Sequence, residues 1–252
     1  MNRFYLRWSG IAVDPSEYGV ALTAAEARQP LAAYYKRSVT PPVETLNGLN
    51  GVAPEHALMY AQKEMAVTHA AQLPNGYRLF ADRTGYVHVR TECGGLTAAQ
   101  LAWWLSWMGQ HTLRYKTAYP GFHAFAEAGG RALRLKPGEL CAFRCVTSIG
   151  AEPDGTRNAP RMMTVRWSLP ETKDGYVCFR AEVQAGSFTA ARLIVVLAEG
   201  ALHCFAWLGT EMPSWTRGFV TEKKLYDMAR YCAFLGVRTA AIAGELYAAQ
   251  DV

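Results

Sequence analysis

The amino-acid sequence predicts an α+β fold in which a curved antiparallel sheet grips one long C-terminal helix. Three observations carry that reading. From Gly76 onward the chain runs through extended segments punctuated by turn residues. Two of these segments meet at Glu199-Gly200, a turn short enough to demand antiparallel neighbours. From about Thr221 to Gln250 a single apolar stripe recurs every three or four residues. The chain divides accordingly into an N-terminal helical segment or lid over residues 1–75 and a helix-grip cavity domain over residues 76–252.

Each element has its local reason. Ser16 to Lys36 is alanine-rich helical material interrupted by Pro30, Thr40 to Pro54 is a proline- and glycine-bearing loop, and Glu55 to Leu73 is again helical. In that last helix Leu58, Met59, Met65, Ala66 and Leu73 are expected on one side. Tyr77–Phe80 and Tyr86–Thr91 flank the polar turn Asp82-Arg83-Thr84-Gly85 and read as a hairpin. Thr97 is expected to cap a helix running to Met108, with Gln100 completing a capping box. Beyond Pro137-Gly138 come strands at Leu140–Ile149, Met162–Trp167, Gly175–Ala185, Arg192–Ala198 and Leu202–Leu208, separated by Arg157–Pro160, Pro170–Gly175 and Glu199-Gly200. The closing helix carries Leu225, Met228, Cys232, Leu235, Thr239, Ile242 and Leu246 on its stripe.

Composition narrows the function. With 50% hydrophobic and 19% charged residues, the chain is globular rather than disordered. Its net charge of +5 is spread out, with no run denser than Lys36-Arg37 or Lys223-Lys224, so nucleic acid is not an expected partner. Arg3 to Trp8 does not lead into the apolar stretch of a signal peptide, and no apolar run is long enough to span a bilayer. A cytoplasmic protein without a membrane partner is therefore expected. Cys93, Cys141, Cys145, Cys178, Cys204 and Cys232 form no Cys-x-x-Cys and are expected to be buried free thiols. Phosphate-binding glycine loops, Gly-x-Ser-x-Gly and His-Glu-x-x-His are all absent from the sequence.

The candidate site lies around Trp103-Trp104-Leu105-Ser106-Trp107, Arg114-Tyr115-Lys116 and Pro120-Gly121-Phe122-His123. Three of the seven tryptophans fall within five positions there. Trp103, Trp104 and Trp107 would shape an aromatic wall. Tyr115 would donate a phenolic hydrogen bond, and Arg114 would steady developing negative charge. If Phe122 to Ala128 is helical, Glu127 falls one turn from His123, close enough for an acid–base dyad; the alternative is a surface ion pair. His88 and His203 lie in strands and read as sheet histidines, His111 sits in a loop, and neither Cys145 nor Cys232 shows the paired histidine that would activate a thiol.

Through those three motifs the chain resembles the family of diacetylphloroglucinol and phloretin hydrolases. The likeness extends to Gly94-Gly95-Leu96-Thr97, to Trp207-Leu208-Gly209 and to Glu245-Leu246-Tyr247. The resemblance implies a START-like helix-grip fold and a zinc-assisted retro-Claisen hydrolysis of acylated phenols. It makes Tyr115 a substrate contact and His123 a metal ligand. The remaining ligands are where this chain departs. Tyr231 and Leu235 stand where the family has a His-x-x-x-Glu pair, Thr147 replaces a glutamate, and Leu193 to Val196 contains no histidine. A lone histidine does not hold zinc, which needs about three protein ligands.

The expectation is thus a metal-independent, cofactor-free enzyme of natural-product metabolism. It would catalyse cyclisation, rearrangement or other carbon–carbon bond chemistry on a hydrophobic polyketide- or terpenoid-like substrate. His123, Tyr115 and Tyr231 would be catalytic, and Trp103, Trp104, Trp107, Arg114, Glu127, Thr147 and Trp207 would bind substrate. Two alternatives stand beside it: a zinc-dependent hydrolase of acylated phenols, and a non-catalytic carrier of hydrophobic ligands. The N-terminal helices are left with two roles, packing against a second subunit in a homodimer or capping their own pocket.

Overall fold

The computed structural model describes residues 19–52, 63–129, 133–147, 162–173 and 175–249. The expectations placed on Arg3–Trp8, on the helix before Lys63 (with Leu58 and Met59), on the turn Arg157–Pro160 and on the strand end after Thr147 lie outside the described residues. So does the side chain of Met65.

Among the described residues ten strands form one sheet in an α+β arrangement with a long C-terminal helix, Glu222–Ala248. In chain order the strands are β1 (Asn50–Gly51), β2 (Gly76–Leu79), β3 (Gly85–Glu92), β4 (His123–Ala128), β5 (Glu139–Thr147), β6 (Met162–Ser168), β7 (Glu171–Lys173), β8 (Tyr176–Ala185), β9 (Phe188–Ala198) and β10 (Ala201–Leu208). They lie side by side as β1-β2-β3-β10-β9-β8-β6-β5-β4, with β7 paired to β8. Every pairing is antiparallel except β1 with β2, so the sheet is mixed rather than wholly antiparallel.

The expected local signals hold. Glu199 (φ 49°) and Gly200 (φ 73°) make a two-residue turn between β9 and β10, the left-handed pair that matches strand twist. Thr97 and Gln100 exchange backbone and side-chain hydrogen bonds as a capping box for the tryptophan helix Ala98–Met108. Thr221 caps the long helix through the amide of Lys224. One expectation fails: the segment after Phe122 is the edge strand β4, not a helix. A short helix, Thr112–Ala118, precedes it, and its N-cap is His111, whose Nδ1 accepts from the Leu113 amide.

Both faces of the sheet are covered. Along β10, Leu202, Cys204, Ala206 and Leu208 join the core beneath the long helix and the tryptophan helix. The alternating residues Phe205 and Trp207 join a second core with Tyr86, Val196 and the N-terminal Ala66, Val67, Ala70 and Leu73. This double coverage explains why β10 is buried along its whole length. All six cysteines are buried free thiols. Among the described residues no helix is long and apolar enough to cross a membrane.

Close approach sets the helices. A Cβ at Gly236 would lie 2.5 Å from Thr91 Oγ1 on β3, and one at Gly109 would lie 2.0 Å from the ring of Phe143 on β5. Glycine lets the long helix and the end of the tryptophan helix sit directly on the sheet. Buried cations then tie the N-terminal residues down. Arg238 on the long helix donates to the carbonyls of Thr117 (2.8 Å), Arg37 (2.7 Å) and Tyr34 (2.5 Å). Lys116 donates to Glu26 (2.9 Å) and to the Ala21 carbonyl (2.9 Å). Tyr34, Arg37 and Thr117 lie at or just past the ends of short helices, where the helix leaves its last carbonyls incompletely bonded.

Candidate functional site

A cavity of about 90 Å³ lies between the long helix, the tryptophan helix and the sheet. Trp104, Tyr115, Phe143, Trp167, Tyr231 and Leu235 are among its walls, and no lining residue carries a charge. It is smaller than the roughly 150 Å³ apolar cavity that admits benzene, so a ring-sized guest requires the walls to yield. Met228, Leu235 and Met108 are the flexible apolar side chains in that wall.

Behind the wall sits a compact polar cluster. His123 begins β4, directly across from Thr147 at the end of β5. Its ring lies flat against Tyr115, with centroids 3.6 Å apart and planes 1° from parallel. His123 Nδ1 is 2.8 Å from the backbone oxygen of Tyr115, and its Nε2 is 2.5 Å from Tyr231 Oη. A carbonyl only accepts, so Nδ1 carries the proton and Nε2 receives the hydrogen of the Tyr231 hydroxyl. Tyr115 Oη in turn shares a 2.8 Å hydrogen bond with Thr147 Oγ1.

Desolvation dominates the electrostatics. Burial pushes His123 down to about 3, against a weaker upward pull from its bond to the Tyr115 carbonyl, so the imidazole is neutral. Burial also raises the phenols of Tyr115 and Tyr231 well above their ordinary value. The Cys145 thiol beside them is pushed up to about 11 by the same cause. The cluster therefore rests uncharged, with one hydrogen bond already set for a proton to move from Tyr231 to His123.

The structure brings Tyr115, His123, Thr147, Tyr231 and Trp104 together and separates the other expected site residues. Trp103, Trp107 and Arg114 line an open groove of about 470 Å³ on the outer side of the tryptophan helix. There the Arg114 guanidinium stands 5.4 Å from the Trp107 ring centroid and pairs with Gln110. Trp103 and Trp107, four residues apart, share the outer stripe of the helix and stack on each other, while Trp104 reaches the internal cavity with Trp107 stacked against it at 5.2 Å. Glu127 is not a partner of His123. In strand β4 the two are four residues apart, or about 13 Å, and Glu127 instead pairs with Arg144 near the surface. Trp207 is on the opposite face of the sheet, against Tyr86 and Phe205.

His88 and His203 are also on that opposite face. They stack at 5.4 Å and share a 3.1 Å bond between His88 Nε2 and His203 Nδ1. Trp167 and Phe143 are cavity residues that pattern reading passed over. Trp167 and Val165, two residues apart on β6, share its cavity face, which was the available signal.

A model of the DAPG hydrolase PhiG domain family matches residues 59–143. The match takes in residues 59–143 of a chain of 252 and supports membership of that family. The family segment takes in the tryptophan helix, Tyr115 and His123 and ends within β5, while Tyr231 and the long helix lie beyond it. No curated protein matches the chain. The donors around His123 do not fit the zinc ion that family resemblance implies. Its neighbours Tyr115, Tyr231 and Thr147 are hydroxyls engaged with one another or with the imidazole, and both ring nitrogens are already bonded. Among the described residues no three His, Cys, Asp or Glu side chains are grouped to hold a metal.

Proposed function

We propose that the chain is an enzyme of phenolic or related natural-product metabolism that makes, breaks or rearranges carbon–carbon bonds in an uncharged hydrophobic substrate, using a tyrosine–histidine proton relay instead of a metal. The observation that carries this reading is the 2.5 Å contact between Tyr231 Oη and His123 Nε2 at a cavity wall. Tyr231 is the group that meets the substrate. As its oxygen takes a proton from a substrate C–H or O–H bond, its own proton passes to His123 Nε2, and the bonding pair stays on the substrate. Moving both protons together avoids a free tyrosinate, which burial opposes. The Tyr115 backbone oxygen steadies the imidazolium that forms. Confinement by Trp104, Phe143 and Leu235 would supply orientation, worth roughly 7–11 kcal/mol in favourable intramolecular cases.

The helix-grip, START-like reading of the fold accords with a long helix packed on β2, β3 and β10 beside an internal cavity. We also propose a cytoplasmic protein acting on small molecules rather than on nucleic acid or membrane, a reading supported by its scattered charge. The family match favours a second reading, zinc-dependent hydrolysis of acylated phenols.

Turnover of an acylated-phenol and polyketide panel, with and without a strong chelator and with metal content measured, separates the two. The relay predicts activity that survives chelation, together with a pH–rate profile lacking an acidic limb near 6.5, because His123 is neutral down to about 3. Activity that vanishes on chelation and returns only with zinc would overturn it, as would a limb near pH 7 of the kind metal-bound water produces.

A further inference from the structure

Two cavity residues hold buried donors that no described residue satisfies. The indole Nε1 groups of Trp104 and Trp167 are both shielded from solvent, and neither has a hydrogen-bond partner among the described residues. The residues come from separate elements, the tryptophan helix and β6, yet both line the one cavity, and they are only 1% and 3% exposed. A buried unsatisfied N–H is costly, and native proteins retain few of them without a use. An indole N–H can only donate, so whatever satisfies it must present a lone pair. With no charged residue in the wall, an ionised guest would enter without a counter-charge at a large desolvation cost.

We infer that Trp104 and Trp167 form an oxygen-binding subsite that receives the carbonyl oxygen of an uncharged, otherwise apolar ligand. The inference deepens the proposed function, since it rests on this cavity being the substrate site. It adds a division of labour. The indoles fix the ligand's oxygen and thereby its rotation, and Tyr231 faces the atom that exchanges a proton. A guest of the same shape without an acceptor leaves both N–H groups unpaired, which makes them determinants of specificity rather than of packing alone.

The test uses cyclohexanone and its isostere methylenecyclohexane, which differ by an oxygen in place of a CH2 group. In protein with 15N-labelled tryptophan, the Trp104 and Trp167 indole signals are assigned from Trp104→Phe and Trp167→Phe variants, and each probe is titrated in. Cyclohexanone is expected to move both indole protons downfield and to bind more tightly than methylenecyclohexane. Each Trp→Phe change should weaken cyclohexanone by roughly two- to tenfold, the worth of one hydrogen bond, and leave methylenecyclohexane unaffected. Equal binding of the two probes, including the case in which an ordered water already serves the donors, would overturn the subsite. So would failure of cyclohexanone to shift either indole signal in the unmodified protein. Because binding is read without turnover, the proton relay can fail while the subsite stands, and the reverse.

Discussion

The two faces of the sheet each bury histidine beside an aromatic ring, and the difference between them separates the group proposed to move protons from one that packs. On the cavity face, His123 Nε2 meets Tyr231, whose other side is open to the cavity. On the opposite face, His88 Nδ1 is 3.0 Å from the Pro74 carbonyl, so it donates there and its Nε2 accepts from His203 Nδ1. That chain ends at His203 Nε2, a buried lone pair with no partner among the described residues, and His203 does not line the cavity that Tyr231 borders. Both pairs are neutral for the same reason, with desolvation pulling His88 to about 3 and His203 to about 4. Burial and a low pKa therefore do not by themselves mark function. Access to a guest does.

Substitution gives the widest separation. Tyr231→Phe and His123→Ala are expected to lower kcat by about 10²–10⁴, the usual worth of positioned acid–base groups. His203→Asn should leave kcat within about twofold while costing about 1–3 kcal/mol of stability through its broken buried hydrogen bond. Steady-state kinetics beside denaturant melts reads both, and comparable kcat losses from the two faces would erase the distinction.

Acid titration sharpens the comparison from the side of stability. The folded protein keeps His88, His123 and His203 neutral, whereas the unfolded chain takes up protons near pH 6.5. Their contribution is complete above pH 6.5 and is lost as pH falls toward 4 and then 3. Each histidine adds a slope of up to about 1.4 kcal/mol per pH unit. Urea unfolding between pH 7 and pH 4 should show this fall, and His203→Asn should remove one proton's share of it. The smallest effect is expected outside both faces. Arg114→Ala on the outer groove should change kcat/KM by less than about threefold, and a larger loss would bring that groove into the active site.

What the sequence disclosed depended on whether the signal was local. The Thr97-Gln100 box, the Glu199-Gly200 turn and the stripe on the long helix are set by neighbours within a few residues, and all three are present. His123, Tyr115 and Tyr231 were singled out because family motifs marked the first two and the third replaces an expected ligand, and the structure sets the three side by side. Glu127 and Trp207 were misplaced because pairing register and sheet face depend on strands distant in sequence. The same cause hid β4, an edge strand whose continuous pairing is with β5 and whose other side meets a bridge from His111 to Glu127. The Trp167 indole was unreadable for a different reason: no pattern of residue types reveals that a donor lacks an acceptor.

Arg238 lies seven residues beyond Tyr231 on the long helix, two turns along it, and grips the carbonyl of Thr117, two residues beyond Tyr115 on the short helix. One guanidinium thereby bolts together the pair of rods that carry the proposed relay's phenol and Tyr115, the ring stacked on its imidazole. It also clasps Tyr34 and Arg37, so the amino-terminal strap acts as a brace on the spacing between donor and acceptor. Slack introduced at that fastening would lengthen the proton's hop without touching any group that handles the substrate.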